Sequence, residues 1–246
     1  MLKNQKILIT GMGKGIGRQI FLDLLKAGAD VYGVTRSKKD TEELAKMNGN
    51  FKLFFGDISK LETINKIFNY LNKNRIKLTG LVNNAGIRQR IKFAQITKKD
   101  LLNVMENNFI SPFIIIQKFC LHADKKKNCS IVNVGSIVGE RGFAELSGYG
   151  SSKSALNGLT RCLMAEFSKK DLNIRVNCIN PGFVKTTFYE KFKKKRELYD
   201  WTISKTPQKR WASSEEISNV VIFLLSKNSS YINGQSINID GGWTAE

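Results

Sequence analysis

The stretch that decides the fold is KILITGMGKGIG, residues 6–17. Its first five residues form a short apolar run, which is typical of a buried β-strand. Glycines at every second position follow, and residues 18–27 then place apolar side chains at helical spacing until Gly28 ends the pattern. A strand, a glycine turn and a helix in this order bind a pyrophosphate, because glycine lets the backbone approach and the helix N-terminus offers N–H donors. The spacing differs from G-x-G-x-x-G, so the turn alone is a moderate signal.

The rest of the chain continues this alternation of strands and helices. Six further apolar runs are predicted as strands, at residues 31–34, 51–55, 81–82, 131–134, 174–179 and 236–239. Helical patterns lie near residues 60–73, 98–120, 149–168 and 214–226. The alternation predicts an α/β fold with a doubly wound parallel sheet of about seven strands and helices on both faces. We expect one domain over residues 1–246, with a charged and aromatic insertion at about 185–207 above one end of the sheet.

Composition excludes several classes of protein. The 246 residues are 41% hydrophobic and 25% charged, as in an ordinary globular domain, and no apolar run approaches the ~20 residues that span a bilayer. The chain runs directly into its first strand, so we expect no signal peptide and a cytoplasmic location. The four cysteines and the single His122 do not stand at metal-ligand spacing, so no metal is expected. The net charge of +19 is mostly lysine without a nucleic-acid motif, which favours neither nucleic acid nor a membrane as partner.

The end of the second predicted strand indicates which nicotinamide cofactor is used. In doubly wound folds an acidic residue there bonds the 2′-hydroxyl of NAD, whereas an arginine accepts the 2′-phosphate of NADP. Here the strand continues into Arg36 and has no carboxylate at its end. Lys14 in the glycine turn adds a second positive charge. Both residues favour NADP over NAD.

A tyrosine and a lysine four residues apart, Tyr149 and Lys153, are candidates for acid–base chemistry. At the start of a helix they lie on one face, one turn apart. A phenol has an ordinary pKa near ~10, and a neighbouring ammonium lowers that pKa by favouring the phenolate. Tyr-x-x-x-Lys is common by itself, so the pair gains weight only from the residues around it.

Taken together, the motifs resemble the short-chain dehydrogenase/reductase family over essentially the whole chain. The glycine turn TGMGKGIG at residues 10–17, NNAG at 83–86 and the P-G motif at 181–182 all occur in the family's order. Ser136 precedes Tyr149 by 13 residues, again as in that family. The resemblance implies a one-domain Rossmann-like fold and hydride transfer between a nicotinamide cofactor and a carbonyl or alcohol. It also implies a homo-oligomer, either a tetramer or a dimer.

The resemblance further implies a role for each site residue. Tyr149 corresponds to the general acid, Lys153 to the residue that holds the nicotinamide ribose and lowers the pKa of Tyr149, and Ser136 to the residue that orients the substrate oxygen. Asn108 corresponds to the asparagine of a proton relay, although its neighbour Asn107 is an alternative. The implied cofactor contacts are Gly11, Lys14, Gly15, Ile16, Gly17, Arg36, Asp57, Ile58, Asn84, Ala85, Gly86, Tyr149, Lys153, Pro181, Gly182, Val184 and Thr186.

Two substrate classes stay open at this point. The first, which the resemblance favours, is a 3-oxoacyl group on an acyl carrier protein, as in fatty acid biosynthesis, for which Lys127 and Lys170 stand near expected docking positions. The second is a sugar, a polyol or a gluconate-type sugar acid, for which Arg88 and Arg90 stand near the expected substrate mouth. The insertion at 185–207 resembles the family's substrate lid, and its aromatic and basic residues suit either class. A catalytically silent nucleotide-binding regulator is a third reading, which the complete Ser136, Tyr149 and Lys153 set disfavours.

Overall fold

Parallel strands form one sheet in the computed structural model, which describes residues 1–170, 172–187 and 189–245. The order across the sheet is β3-β2-β1-β4-β5-β6-β7, which confirms the predicted doubly wound arrangement. All seven predicted strands are present, within a few residues of their predicted ends. Their bounds are β1 Lys6–Thr10, β2 Asp30–Thr35, β3 Phe51–Phe55, β4 Gly80–Asn83, β5 Cys129–Val134, β6 Ile174–Pro181 and β7 Ser236–Ile239.

Helices cover both faces of this sheet, and each face has its own apolar core. One core lies beneath α3, α5 and α6, and the other lies beneath α1, α2 and α9. Because both faces are covered, central strands such as β5 are buried along their whole length. The helices are α1 Gly15–Lys26, α2 Lys38–Leu44, α3 Leu61–Lys73, α4 Lys98–Met105, α5 Ser111–His122, α6 Ser147–Lys169, α7 Tyr189–Lys193, α8 Arg196–Lys205 and α9 Ser214–Leu225.

The helix predicted over residues 98–120 is interrupted, which corrects the sequence prediction. It divides into α4 and α5 at a π-helical turn, Glu106–Ile110. Pro112 lies in the first turn of α5, where its missing N–H costs no hydrogen bond within that helix. π-helical turns shift the direction of neighbouring side chains and occur often at functional sites. Here the turn buries Asn107 and Asn108.

The structure adds further helices where no regular element was predicted. Helix α2 follows β2, and α7 and α8 fill the insertion that the sequence indicated as irregular. None of the described helices is long and apolar enough to cross a lipid bilayer.

The direction of winding reverses between β1 and β4, which are neighbours in the sheet. In doubly wound sheets the crevice at such a switch point, outside the carboxyl ends of the strands, is where ligands bind. Thr10 at the end of β1 holds the two segments together, because its Oγ1 accepts the N–H groups of Asn84 (3.1 Å) and Ala85 (3.0 Å). The fold therefore brings the glycine turn and the NNAG segment, about 70 residues apart in sequence, to one place.

Candidate functional site

A groove of about 580 Å³ runs along the carboxyl ends of β1, β2 and β4. Most of the residues predicted to hold the cofactor line it. These are Gly11, Lys14, Gly15, Ile16, Gly17, Arg36, Asp57, Ile58, Asn84, Ala85, Gly86 and Thr186.

The glycines of the turn are required by close backbone contacts. Gly11 has φ +71°, and a Cβ placed on it would lie 2.7 Å from the Cα of Ala85. A Cβ on Gly17 would overlap the carbonyl oxygen of Gly11 and the side chain of Asn84. The Nδ2 of Asn84 donates to the carbonyl oxygens of Thr10 and Gly11, both at 3.0 Å. Substitution of these glycines would therefore push the turn away from the NNAG segment and alter the floor of the groove.

The start of α1 fits a phosphate group. Its N-cap residue is Lys14, whose side chain makes no capping hydrogen bond. The first N–H groups of the helix are therefore not bonded to the side chain of the N-cap residue. Those N–H groups and the positive end of the helix dipole face the groove at Gly15, which lines it.

The charges at the outer end of the groove are of both signs. Arg36 follows β2, its side chain is 59% exposed, and its Nη1 lies 3.7 Å from Oδ2 of Asp57. Lys14 is exposed on the same groove. Together with the N-terminus of α1, these two cations suit the pyrophosphate and 2′-phosphate of NADP, so the residues present fit the predicted cofactor.

The other predicted cofactor contacts lie at the end of β6. Pro181 is its last residue, and Gly182 approaches β7 so closely that a Cβ on it would lie 2.8 Å from the Cα of Asp240. Val184 forms a bridge with Ala212 and is 8% exposed. None of these three is among the residues that line the 580 Å³ groove, although Thr186 just beyond them is.

The three residues implied in catalysis come together beyond the end of β5. Ser136 follows that strand, and its Oγ accepts the N–H of Val138 at 3.3 Å. Tyr149 and Lys153 lie in the first two turns of α6, with the Lys153 Nζ 5.8 Å from the Tyr149 ring centroid. The Lys153 Nζ donates to the carbonyl oxygen of Val134 at 2.8 Å, and it lies 3.5 Å from where Gly86 would carry a Cβ. The lysine thus connects the reaction centre to the groove.

Burial decides the proton affinities of this centre. Burial raises the pKa of Tyr149, while a hydrogen bond with Ser136 and the positive charge of Arg88 act in the opposite direction. Burial lowers the pKa of Lys153 to about 8. Sequence reasoning assigned the lowering of the Tyr149 pKa to Lys153, whereas here Ser136 and Arg88 are its sources. With its pKa raised, the phenol of Tyr149 carries its proton at neutral pH.

Asn108 is fully buried in the π-helical turn, and both ends of its side-chain amide form hydrogen bonds. Its Oδ1 accepts the N–H of Ile87 at 2.8 Å, and its Nδ2 donates to the carbonyl oxygen of Ile87 (2.9 Å) and to Oγ of Ser152 (3.0 Å). Its neighbour Asn107 lines the groove instead. The side chain of Asn108 therefore fixes the segment after NNAG against α6.

Sequence reasoning assigned no role to Asn180, which positions Ser136. Asn180 is fully buried, its Oδ1 accepts the N–H of Ser136 at 3.2 Å, and its Nδ2 donates to Oε1 of Glu140 at 2.8 Å and to Oδ1 of Asn238 at 3.1 Å. An asparagine within a buried strand was the available signal, because a buried amide requires hydrogen-bond partners.

The two arginines near the substrate mouth differ in their surroundings. The Nε of Arg90 lies 2.7 Å from Oε2 of Glu145, so a carboxylate of the protein already balances its charge. Arg88 lies close enough to Tyr149 to lower the tyrosine's pKa. Burial lowers the pKa of Arg88 itself, although the residue as a whole remains exposed.

The predicted lid packs on aromatic side chains that flank it in sequence. Trp211, 2% exposed, contacts four other aromatic rings, and its Nε1 donates to Oγ1 of Thr202 at 2.7 Å. Trp201 is 43% exposed and packs on Trp243 instead. Phe188 and the side chain of Lys191, both assigned to the lid by sequence, lie outside the part of the chain that the structure describes. The ring centroids 5.0–5.8 Å from Trp211 are those of Phe183, Tyr189, Phe192 and Tyr199.

Arg210 and His122 both contact other parts of the protein. Arg210 forms two 2.7 Å contacts with the carboxylate of Glu216 at the start of α9. His122 packs on Phe68, and its Nδ1 lies 2.8 Å from the carbonyl oxygen of Lys118. Among the described residues, no group of three or more His, Cys, Asp or Glu side chains is placed to hold a metal ion.

Comparison with known proteins gives matches along nearly the whole chain. A sequence-family model described as Enoyl-(Acyl carrier protein) reductase matches residues 11–244. The 2-dehydro-3-deoxy-D-gluconate 5-dehydrogenase of Bacillus subtilis (strain 168) is 34% identical over 245 residues, covering 98% of this chain and 95% of the relative. The 3-oxoacyl-[acyl-carrier-protein] reductase of Thermotoga maritima is 32% identical over 245 residues, with 98% of each chain covered.

A solved structure has the same fold over its full length. The crystal structure of a gluconate 5-dehydrogenase from Burkholderia cenocepacia J2315, in complex with NADP and tartrate, superposes with a TM-score of 0.91 at 25% identity. The superposition covers 100% of this chain and 97% of that one. The relatives named here are thus dehydrogenases and reductases, and their printed substrates divide between sugar acids and carrier-bound acyl groups.

Proposed function

Since the chain belongs to the short-chain dehydrogenase/reductase family of NAD(P)-dependent oxidoreductases, we propose that it interconverts a ketone and a secondary alcohol with NADP(H). We further propose that the substrate carries a carboxylate, as a sugar acid does. The first proposal is supported by the groove and the charges that fit NADP. The second is supported by Arg88 beside Tyr149.

In the proposed reduction, Tyr149 donates its phenolic proton to the carbonyl oxygen of the substrate. When bound, NADPH supplies the hydride that the carbonyl carbon accepts, so the products are a secondary alcohol and NADP⁺. The raised pKa of Tyr149 suits this direction, because the phenol is protonated at neutral pH. Ser136 already hydrogen-bonds Tyr149, so its hydroxyl is placed to orient the same oxygen.

In this mechanism Lys153 and Asn108 position the cofactor and the start of α6, and neither exchanges a proton with the substrate directly. The ammonium of Lys153 lies between the backbone of Val134 and Gly86 of the groove, which suits a contact with the nicotinamide ribose. Asn108 keeps Ile87 and Ser152 in place, and Ser152 in turn donates to the carbonyl oxygen of Tyr149 at 2.7 Å. We propose that the asparagine positions the first turn of α6 in addition to any role in proton relay.

The observation that carries the substrate class is the position of Arg88, whose positive charge acts on the Tyr149 phenol. Arg90 lies 2.7 Å from Oε2 of Glu145 and is the weaker candidate for a substrate contact. A guanidinium beside the proton donor is well placed to form charge-assisted hydrogen bonds with a substrate carboxylate. This arrangement favours an anionic hydroxy acid or keto acid over an uncharged ketone.

An acyl-carrier-bound substrate remains the second candidate, because the Thermotoga maritima reductase is nearly as similar. The structure gives it less support at two points. The Nζ of Lys170 lies 2.6 Å from Oε1 of Glu166, so one proposed docking charge is already paired. Trp211 packs on Phe183 and on three lid aromatics, which leaves fewer lid rings to cover an acyl chain. Lys127 contacts the backbone, since its Nζ donates to the carbonyl oxygen of Asn4 at 3.1 Å.

One assay separates the two candidates. The purified protein is given NADP⁺ with D-gluconate or 2-dehydro-3-deoxy-D-gluconate, and separately NADPH with acetoacetyl-coenzyme A. We expect turnover of a sugar acid. Turnover of the thioester alone would reverse the assignment, and no turnover with either cofactor would favour the silent nucleotide-binding regulator.

The Arg88→Gln variant tests the carboxylate contact. Loss of a charge-assisted hydrogen bond raises KM for the acid by roughly 10- to 100-fold. Arg90→Gln is the matched control, because it removes the same charge from the same segment but from an arginine already paired with Glu145. Equal effects of the two substitutions would contradict a specific role for Arg88.

A further inference from the structure

Three helices of this protein begin with the same sequence signal, but only two of them use it fully. A Ser or Thr at the N-cap with an acidic residue three positions later forms a capping box, in which each side chain binds the other residue's backbone N–H. In α4, Asp100 Oδ2 accepts the N–H of Thr97 at 3.0 Å, and in α9, Glu216 Oε2 accepts the N–H of Ser213 at 2.8 Å.

Helix α2 forms only half of its capping box. Ser37 Oγ accepts the N–H of Asp40 at 3.1 Å, as expected. The N–H of Ser37, however, donates to Oγ1 of Thr35 at 3.3 Å instead of to the Asp40 carboxylate. The carboxylate of Asp40 is therefore released from the role that the sequence pattern predicts for it.

The Asp40 carboxylate lies against the glycine turn. A Cβ on Gly13 would overlap Oδ2 of Asp40 and would lie 2.6 Å from Oγ1 of Thr35, so the missing side chain at residue 13 makes room for the carboxylate. Asp40 lines the groove beside Arg36 and Ser37. A negative charge thus lies between the end of β2 and the glycine turn.

In a doubly wound fold this is where the adenosine ribose lies, and its 2′ substituent distinguishes NAD from NADP. A carboxylate accepts a hydrogen bond from a ribose hydroxyl but repels a phosphate dianion. Arg36 and Lys14 line the same groove, and their positive charges favour the 2′-phosphate of NADP. Arg36 is itself 3.7 Å from the Asp57 carboxylate, which reduces its attraction for a phosphate.

We propose that Asp40 is a specificity-determining residue that accepts the 2′-hydroxyl of NAD(H) and weakens the preference for NADP(H) set by Arg36 and Lys14. The groove then binds both cofactors, with a smaller difference in affinity than two unopposed cations would give. The proposal rests on the proposed function in one respect, namely that the groove holds a nicotinamide dinucleotide.

The test is a pair of binding titrations that need no substrate. The dissociation constants of NAD⁺ and NADP⁺ are measured by calorimetry for the wild type and for Asp40→Asn. We expect the substitution to tighten NADP⁺ and weaken NAD⁺, so that the ratio of the two constants changes by about tenfold in favour of NADP⁺. Asp40→Ser serves as a second variant with the same expected direction.

The matched control is Asp100→Asn, which removes the same charge from the same helix position in α4 but from a complete capping box. It should lower thermal stability and leave the ratio of the two constants unchanged. An unchanged ratio in both Asp40 variants, with cofactor still bound, would overturn the role of Asp40 alone. Failure of the wild type to bind either dinucleotide would overturn the proposed function together with it.

Discussion

The reaction centre and the phosphate end of the groove hold their polar side chains in different ways. At the reaction centre, Ser136 and Lys153 are 8% and 4% exposed, the Oγ of Ser136 accepts the N–H of Val138, and the Nζ of Lys153 donates to the carbonyl oxygen of Val134. At the phosphate end, the side chain of Arg36 is 59% exposed, and its nearest opposite charge is 3.7 Å away. Buried polar groups depend strongly on their partners, whereas exposed charges are screened by solvent. The positions of the residues implied in catalysis are therefore held more firmly than the position of the arginine that distinguishes NADP from NAD.

The largest expected effect is that of Tyr149→Phe at the buried end. The substitution removes the proposed proton donor and leaves the ring in place, so kcat for carbonyl reduction should fall by about a thousandfold. Cofactor affinity should fall much less, because Tyr149 is only one of the many residues implied in holding the dinucleotide. The measurement is a steady-state assay with the substrate identified above, together with cofactor titration.

Tyr70→Phe provides the control for that experiment. It removes the same hydroxyl from α3, far in sequence from the reaction centre, and should retain wild-type turnover. Wild-type turnover by Tyr149→Phe as well would show that the proton comes from another group.

A smaller effect is expected at the exposed end from Arg36→Ala. Loss of one partly screened cation should weaken NADP⁺ binding by about tenfold and leave NAD⁺ binding nearly unchanged. The effect should shrink as salt is added, because the charge is exposed. Arg161→Ala, which removes an exposed arginine from α6, is the control for a general change in net charge. Equal weakening of both cofactors would contradict a 2′-phosphate contact.

The smallest effect is a pH dependence of stability caused by Lys153. Burial lowers its folded-state pKa to about 8, whereas the unfolded chain has the ordinary value of 10.5. Above pH 8 the folded lysine loses its proton while the unfolded one keeps it, so the unfolded state binds more protons and the free energy of unfolding rises with pH. The cost of burying the charge is thus fully present below pH 8 and is relieved between 8 and 10.5.

Urea unfolding of the wild type and of Lys153→Met at pH 7 and pH 9 isolates this contribution. The free energy of unfolding of the wild type, relative to that of the variant, should rise by about 1 kcal/mol over this interval. The comparison cancels the pH dependence of groups that do not interact with Lys153, such as Cys129, whose pKa burial raises to about 11. Parallel pH profiles would show that Lys153 is not shifted.

Much of the fold followed from the sequence. Short apolar runs separated by helical patterns predicted all seven strands, and their alternation predicted the parallel, doubly wound sheet, because a strand covered on both faces needs an apolar sequence along its length. The prediction of one continuous helix over residues 98–120 was wrong, because the periodicity of that segment does not reveal the π-helical turn at Glu106–Ile110. The expected oligomeric state stays a prediction.

For the site too, some features were predictable from the sequence and others were not. The order and spacing of motifs identified the glycine turn, Ser136, Tyr149 and Lys153, and the structure brings these residues to one edge of the sheet. Their supporting contacts were not predictable. Asn180 reaches Ser136 across 44 residues, and the pairing of Arg90 with Glu145 spans 55.

By itself, then, the sequence determined the features that depend on local patterns: which segments form strands, where the backbone must be glycine, and which residue types stand at the strand ends. Tertiary structure alone decided which partner each charged or polar side chain takes. Arg88 and Arg90 are two residues apart yet act on different groups, and Asp40 leaves its capping box for the space beside Gly13. The physical reason is that periodicity and turn geometry act between near neighbours, whereas the field and the hydrogen-bond partners at a side chain come from segments that only the folded chain brings together.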